Sequence, residues 1–290
     1  MNRPLTSRKR TRDPIRLRCN PIRACSRRRR LGDAKETPML TRRNVLGGLA
    51  SLGLGAVLPG APPAWARTPV LPTQFLIGYG SLIDGDSRSG TAGERTDAVP
   101  VRVTDGFGYR RTWNARSRSG FTALGLEKAA GKAPTPINGV IFPVTDASLV
   151  KFDARESGYD RVMVAPALVE SLSWLRLPDS GTMWIYVPKA GQRDFPPEAQ
   201  FPLLQSYIDL VLQGALSYGR DFAAELIETT DGWSPFWLND RPVARRPWAM
   251  VPHAGAIDSL LSSTAPASSV FGQRLYEGEY AVRHLTPARP

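Results

Sequence analysis

Cysteine is almost absent. The 290 residues hold two, Cys19 and Cys25, so beyond position 25 the chain has no disulfide, no thiolate nucleophile and no cysteine-held metal. Histidine is equally scarce: His253 and His284 are the only two, no H-E-x-x-H occurs, and both read as structural or surface residues. A P-loop and the G-x-G-x-x-G dinucleotide fingerprint are missing as well. Ser81 is not in a nucleophile elbow, because Tyr79 and Ile83 occupy the places where G-x-S-x-G requires glycine. Internal repeats are absent, as are low-complexity runs after residue 67.

Charge of one sign is lacking where it would matter most. The formal charge is +12, but residues 1 to 38 carry 13 Lys/Arg against 3 Asp/Glu, and Arg42 and Arg43 supply the rest. From Arg67 onward, 23 basic residues face 23 acidic ones, so the body is electroneutral and gives no reason to expect a nucleic-acid partner. A long apolar run is also missing. Val45 to Leu58 is shorter than the roughly twenty residues that span a bilayer. Preceded by Arg42-Arg43 and followed by Ala64-Trp65-Ala66, it reads as a removable export signal and not as a stable membrane anchor. The paired arginines after Thr41 point to the twin-arginine route, with a general secretory signal as the alternative. The expected organisation is a disordered basic leader at 1–38, a product of a mis-called start codon; a signal peptide at 39–66; and one domain at 67–290. The expected location is periplasmic or secreted, with the twin-arginine translocase and a signal peptidase as export partners.

Strand signals crowd the first half of the body: Gln74 to Tyr79, Val99 to Val103, Phe121 to Leu126, Gly139 to Pro143, Val162 to Val164 and Thr182 to Val187. Short strands with few helices between them predict an antiparallel sheet, open or closed. After Pro202 the apolar period becomes helical, through Leu204, Ile208, Val211, Leu212 and Ala215, then Phe222 and Leu226. Gly219 is expected to split two helices and Gly232 to follow the second. The reading is α+β. The Trp-rich Asp231 to Trp248 stretch is expected to be irregular, Ser259 to Ser269 a loop, and Gln273 to Val282 a last strand.

Two stretches hold candidate chemistry. Phe75 to Ile83, FLIGYGSLI, is a strand running into a glycine-flanked turn. Gly78 and Gly80 would permit unusual torsions there and a close ligand approach, with amides near Tyr79 to Leu82 facing an anion. FDARESGYDR, residues 152 to 161, follows the amphipathic TDASLVKF, so Glu156 is expected at the C-terminal end of a helix. Partially negative carbonyls and burial would raise its pKa and make it a useful base near neutrality. The bland alternative is a solvated Arg155/Glu156 pair of little energetic weight.

Together, GYGSL and FDARESGY resemble the γ-glutamylcyclotransferase superfamily, whose members carry a Y-G-S loop after the first strand and a catalytic glutamate in an E-x-x-Y cluster. RTWNAR at 111–116 and INGVIFPV at 137–144 also look like bacterial members. The resemblance implies a small mixed or mostly antiparallel β-barrel with flanking helices, a C-terminal helical extension and no cofactor or metal. It further implies that Tyr79, Gly80, Ser81 and Leu82 hold a γ-glutamyl substrate and that Glu156 is the acid/base. Tyr159 is placed near Glu156, as hydrogen-bond partner or as packing, and Arg155 and Arg161 rank below the glutamate as carboxylate attractors. The implied enzyme is cofactor-independent, of acyltransferase/lyase type, and releases 5-oxoproline and an amine or amino acid. Leu82 stands where many members have Asn and Asp84 where the glutathione-degrading branch usually has Trp, which speaks against glutathione. A non-catalytic small-molecule binding module with the same cavity is the alternative.

Overall fold

A computed structural model of the chain describes residues 73–244 and 251–286. The chain divides into a unit Met1–Pro62 and a unit Pro63–Pro290, and all described residues belong to the second. The basic leader and the export signal therefore lie outside the described residues.

Twelve strands occur among them: β1 (Gln74–Gly78), β2 (Val99–Val103), β3 (Tyr109–Arg116), β4 (Thr122–Lys128), β5 (Ile137–Val144), β6 (Tyr159–Val164), β7 (Val169–Ser171), β8 (Thr182–Pro188), β9 (Leu203–Leu204), β10 (Thr230–Asp231), β11 (Trp237–Asn239) and β12 (Leu275–Tyr276). Six of them form one sheet in the order β6-β8-β1-β5-β2-β7, and β10-β3-β4 and β12-β11-β9 form two smaller ones. Within the large sheet only β1 and β8 run parallel; every other pair is antiparallel. The α+β class thus holds, but the expected barrel does not close: β6 and β7 are free edges that do not pair with each other. The sequence missed β3 because its most deeply buried side chains include Arg111 and Asn114, and a charged residue inside a strand reads as surface.

The helices are α1 (Gly85–Ala92), α2 (Asp146–Arg155), α3 (Gln205–Leu216), α4 (Arg220–Glu228), α5 (Ala254–Ser263), α6 (Ser268–Phe271) and α7 (Glu277–Tyr280). Gly219, at φ +114°, separates α3 from α4 as its sequence position suggests. Two expectations fail near the C-terminus. Ser259 to Ser269 is not a loop, since Ile257, Leu260 and Leu261 form a buried i, i+3, i+4 stripe that makes α5 helical. Gln273 to Val282 is not one strand either: only Leu275–Tyr276 pairs, and α7 follows. The Trp-rich stretch contributes β10 and β11. Its described part packs behind β3, with Trp233 5.2 Å from Trp113 and 5.4 Å from Trp237 between ring centres.

The core lies over β1, β5 and β8, where Leu76, Ile77, Phe142 and Ile185 are fully enclosed. Each such side chain contributes roughly 1.5–3 kcal/mol of burial free energy. Helix α2 docks there by Phe152, whose ring lies 5.5 Å from that of Phe142. Helix α3 clamps the segment after β1: a Cβ on Gly214 would sit 2.5 Å from the Asp84 amide nitrogen, so only glycine allows that approach.

Candidate active site

The chain leaves β1 through Tyr79 and Gly80 into a 3-10 turn at Ser81–Ile83, closed by a 2.9 Å bond from the Ile83 amide to the Gly80 carbonyl. As the turn's first residues, Ser81 and Leu82 have amides without partners inside it. Neither Gly78 nor Gly80 takes a positive φ, but Gly80, at φ −133° and ψ −127°, lies outside the β, α and left-handed regions, so the expected unusual torsions occur at Gly80. Gly78 is needed for space, because a Cβ there would meet the Leu82 Cβ at 2.7 Å. Gly139 on β5 is needed for the same reason, its Cβ position lying 2.5 Å from the Gly78 carbonyl oxygen.

Behind this turn lies Arg111, wholly buried and without a carboxylate partner among its bonds. It donates to the Asn138 carbonyl and side chain at 2.7 and 2.8 Å, to Thr229 at 2.6 Å and to Thr230 at 2.8 Å. A longer contact of 3.5 Å reaches the Tyr79 carbonyl. Burial pushes the guanidinium down to about 9, with the charge of Glu225 working the other way. Arg111 thereby ties the end of α4, β5 and the turn after β1 into one support.

Glu156 arrives from the other side. Thr145 and Ser148 make a reciprocal capping box that starts α2, and Glu156 ends it as the C-cap, its amide donating to the Phe152 carbonyl at 2.8 Å. The carboxylate is 16% exposed, and burial raises its pKa. Arg155 opposes that shift with an ion pair at 3.1 Å. Both readings of the sequence are therefore partly realised, since the pair exists but is not solvated.

The two elements meet in one recess, lined by Tyr79, Gly80, Ser81, Leu82, Glu156 and Tyr159. The six residues that the resemblance assigned to substrate and catalysis are thus brought together. Ile77 and Gly78 on β1 line it too, and Leu124, Tyr186 and Tyr207 complete the wall; these last three carried no local signal, because they come from β4, β8 and α3. The Tyr159 hydroxyl donates to the Leu124 carbonyl at 3.1 Å. Burial pushes the Tyr207 phenol up to about 12. Tyr79 and Tyr159 are raised too, mainly by burial, so these phenols remain protonated at neutral pH. Glu156 is left as the recess's proton acceptor.

Arg155 connects glutamate to turn. Beside its pair with Glu156 it donates to Ser81 Oγ at 2.9 Å, Thr91 Oγ1 at 2.6 Å and the Ser87 carbonyl at 3.0 Å, which fixes α1 as well. Arg161, by contrast, pairs with Asp153 at 3.5 Å, stacks on Trp184 and does not line the recess. His253 borders a different cavity, beside Asp84 and Arg88, and His284 packs on Tyr280. Among the described residues no cluster of His, Cys, Asp and Glu could hold a metal ion, and no helix is long and apolar enough to cross a membrane.

The recess is narrow, about 30 Å³, where one water needs roughly 10–15 Å³. It opens past Ser81, Glu156, Tyr159 and Tyr207 into a groove of about 400 Å³. A ligand can place one small polar end beside Glu156 while its remainder lies in the groove.

No family model matches the chain, and no curated protein matches it. Solved structures with γ-glutamyl cyclotransferase-like folds do. A gamma-glutamyl cyclotransferase aligns over 52% of this chain and 85% of its own, with 15% identity and a TM-score of 0.40. A yeast gamma-glutamyl cyclotransferase specific to glutathione aligns over 72% and 97%, with 12% identity and a TM-score of 0.36. YkqA from Bacillus subtilis aligns over 52% of each chain, with 18% identity and a TM-score of 0.39. Likeness at this level carries no chemistry, which must come from the side chains of the recess.

Proposed function

We propose that the protein is a γ-glutamylcyclotransferase-like enzyme, cofactor-independent, that cleaves a γ-glutamyl amide into 5-oxoproline and an amine or amino acid. The observation that supports this most is a buried carboxylate with a raised pKa facing a turn whose leading amides have no partner within it. Glu156 takes a proton from the substrate's α-ammonium. The freed amine attacks the γ-carbonyl carbon, forming the ring C–N bond and a tetrahedral oxyanion, for which the Ser81 and Leu82 amides are the nearest candidate donors. Collapse breaks the old amide C–N bond, and Glu156 returns its proton to the leaving nitrogen, which also gains the ring nitrogen's surplus proton. No water is consumed. Because both reacting groups belong to one molecule, much of the acceleration comes from holding it folded. The recess suits that task, being walled by Tyr79, Leu82, Tyr159 and Tyr207.

One feature favours a second reading, a binding module without turnover: the Arg155 pair already occupies Glu156. A single experiment separates the two. Incubated with a panel of γ-glutamyl compounds, the wild-type chain is expected to release 5-oxoproline, and Glu156→Gln to lose about 10²–10⁴-fold of that rate. Ligand-induced thermal stabilisation with no product would favour the binding module. Full activity in the variant would remove Glu156 from the chemistry.

A further inference from the structure

A second cavity, of about 450 Å³, shares no lining residue with the recess. The chain nevertheless passes from one to the other within two residues, since Leu82 lines the recess and Asp84 the cavity. Its walls come from the start of α1, the end of α3 and the residues at the start of α5, with Asp84, Asp86, Arg88, Gln213, Gly214 and His253 among them. That volume is ordinary for a small-molecule site.

Two polar atoms in these walls are buried without a partner. Arg88 is 4% exposed, and its terminal nitrogens donate to the Leu82 carbonyl at 3.0 Å, to the Ile83 carbonyl and, at 3.5 Å, to the Thr96 carbonyl and the Tyr218 hydroxyl. None of these acceptors is a carboxylate, and its Nε bonds to nothing. Gln213 Oε1 is the second such atom. A buried donor or acceptor left alone is unfavourable, so two of them beside a cavity call for a ligand that meets both. Their demands are opposite. Arg88 Nε is a charged donor suited to a carboxylate oxygen, whereas Gln213 Oε1 is an acceptor that, with the exposed Asp86 carboxylate lining the same cavity, suits an ammonium group. Asp84 is already engaged as the cap of α1, accepting from the Ser87 amide at 2.8 Å.

The same guanidinium holds the substrate turn from behind, through the Leu82 and Ile83 carbonyls. Whatever fixes its Nε also fixes that hold. We infer that this cavity is an effector site for the zwitterion of an α-amino acid, and that its occupation steadies the turn lining the recess. The binding stands by itself, and only its effect on turnover rests on the cyclotransferase reading above.

The test offers the full chain L-alanine, ethylamine and propionate, the last two each lacking one charged end. Calorimetry should find alanine bound and each of the others weaker by about three- to tenfold, as the loss of a single hydrogen bond predicts. Gln213→Leu should weaken alanine binding by a similar factor, and Asp86→Asn should weaken it too. Neither residue lines the recess or the groove outside it, so both variants are expected to turn over like wild type when no alanine is added. With alanine present, the wild-type KM for a γ-glutamyl compound should fall about fivefold at unchanged kcat, the low end of coupling between two sites, while that of Gln213→Leu stays in place. No alanine binding, or binding that both variants keep in full, would overturn the site. A wild-type KM that stays or rises would overturn its link to the turn. Alanine binding by a chain that forms no 5-oxoproline would keep the site and count against the cyclotransferase reading, and turnover without alanine binding would do the reverse.

Discussion

Glu156 owes its candidacy to two opposed influences. Burial favours its neutral form and Arg155 its ionised form, and burial dominates. As a base it works only when ionised, so turnover should rise with pH along a limb lying above the ordinary glutamic acid value of 4.5. Arg155→Gln removes the opposing influence, and the limb should then move to higher pH. A pH–kcat/KM profile of the two proteins checks this; a limb that stays in place, or moves down, would show that Arg155 does not tune the carboxylate. FDARESGYDR shows how far the residue scale was legible. Helix end and neighbouring arginine followed from the local sequence, which left a raised pKa and a solvated pair as alternatives; burial decides for the first. The source of that burial was not legible there, because the covering walls come from Tyr79, Leu124 and Tyr207, distant in the chain.

At the scale of elements, the site depends on how closely the turn after β1 approaches its neighbours. GYGSL was readable as a strand end followed by a tight turn, and its two glycines serve differently: Gly80 takes the unusual torsions, whereas Gly78 provides room. Gly78→Ala should force the turn away from Leu82 and cost about 1–3 kcal/mol. Gly214→Ala pushes on the same turn from α3, through Asp84. Both variants should lower the thermal midpoint and raise KM, whereas Gly255→Ala, in open space on α5, should do neither. Unchanged KM in the first two would mean that the turn does not hold substrate. Nothing in the sequence pointed to Gly214, since a glycine within a helical apolar stripe discloses no partner. Helix α1 was equally hidden. GDSRSGTA has poor helix propensity, and its support comes from the Asp84 cap and from Lys151 and Arg155 reaching over from α2.

For the whole molecule, pH acts on stability from two sides. Outside the recess, Arg241 joins Asp209 on α3 to Asp258 on α5, with Arg274 holding Asp258 from the segment before β12. The two arginines bring the Asp258 carboxyl below its ordinary 3.8 despite burial, which opposes them. That contribution to stability is present above 3.8 and is lost as pH falls through the folded value. Glu156 has the opposite sign. With its folded pKa raised above 4.5, the native state binds the proton more tightly, so its contribution is complete below 4.5 and declines as pH rises to the folded value. Asp84, raised by burial above 3.8, acts in the same direction. Urea midpoints followed by tryptophan fluorescence should therefore fall from mildly acidic pH toward neutrality as well as toward strong acid. Glu156→Gln should flatten the neutral side, leaving the variant more stable than wild type at pH 7 though catalytically poor, and Asp258→Asn should flatten the acid side. Such a gain in stability on removing Glu156 would mark a group whose burial is kept for a reason other than folding. Parallel curves for Glu156→Gln and wild type between about pH 4 and 8 would show that the carboxylate has no raised pKa in the folded protein, and with it would go the physical case for Glu156 as a base.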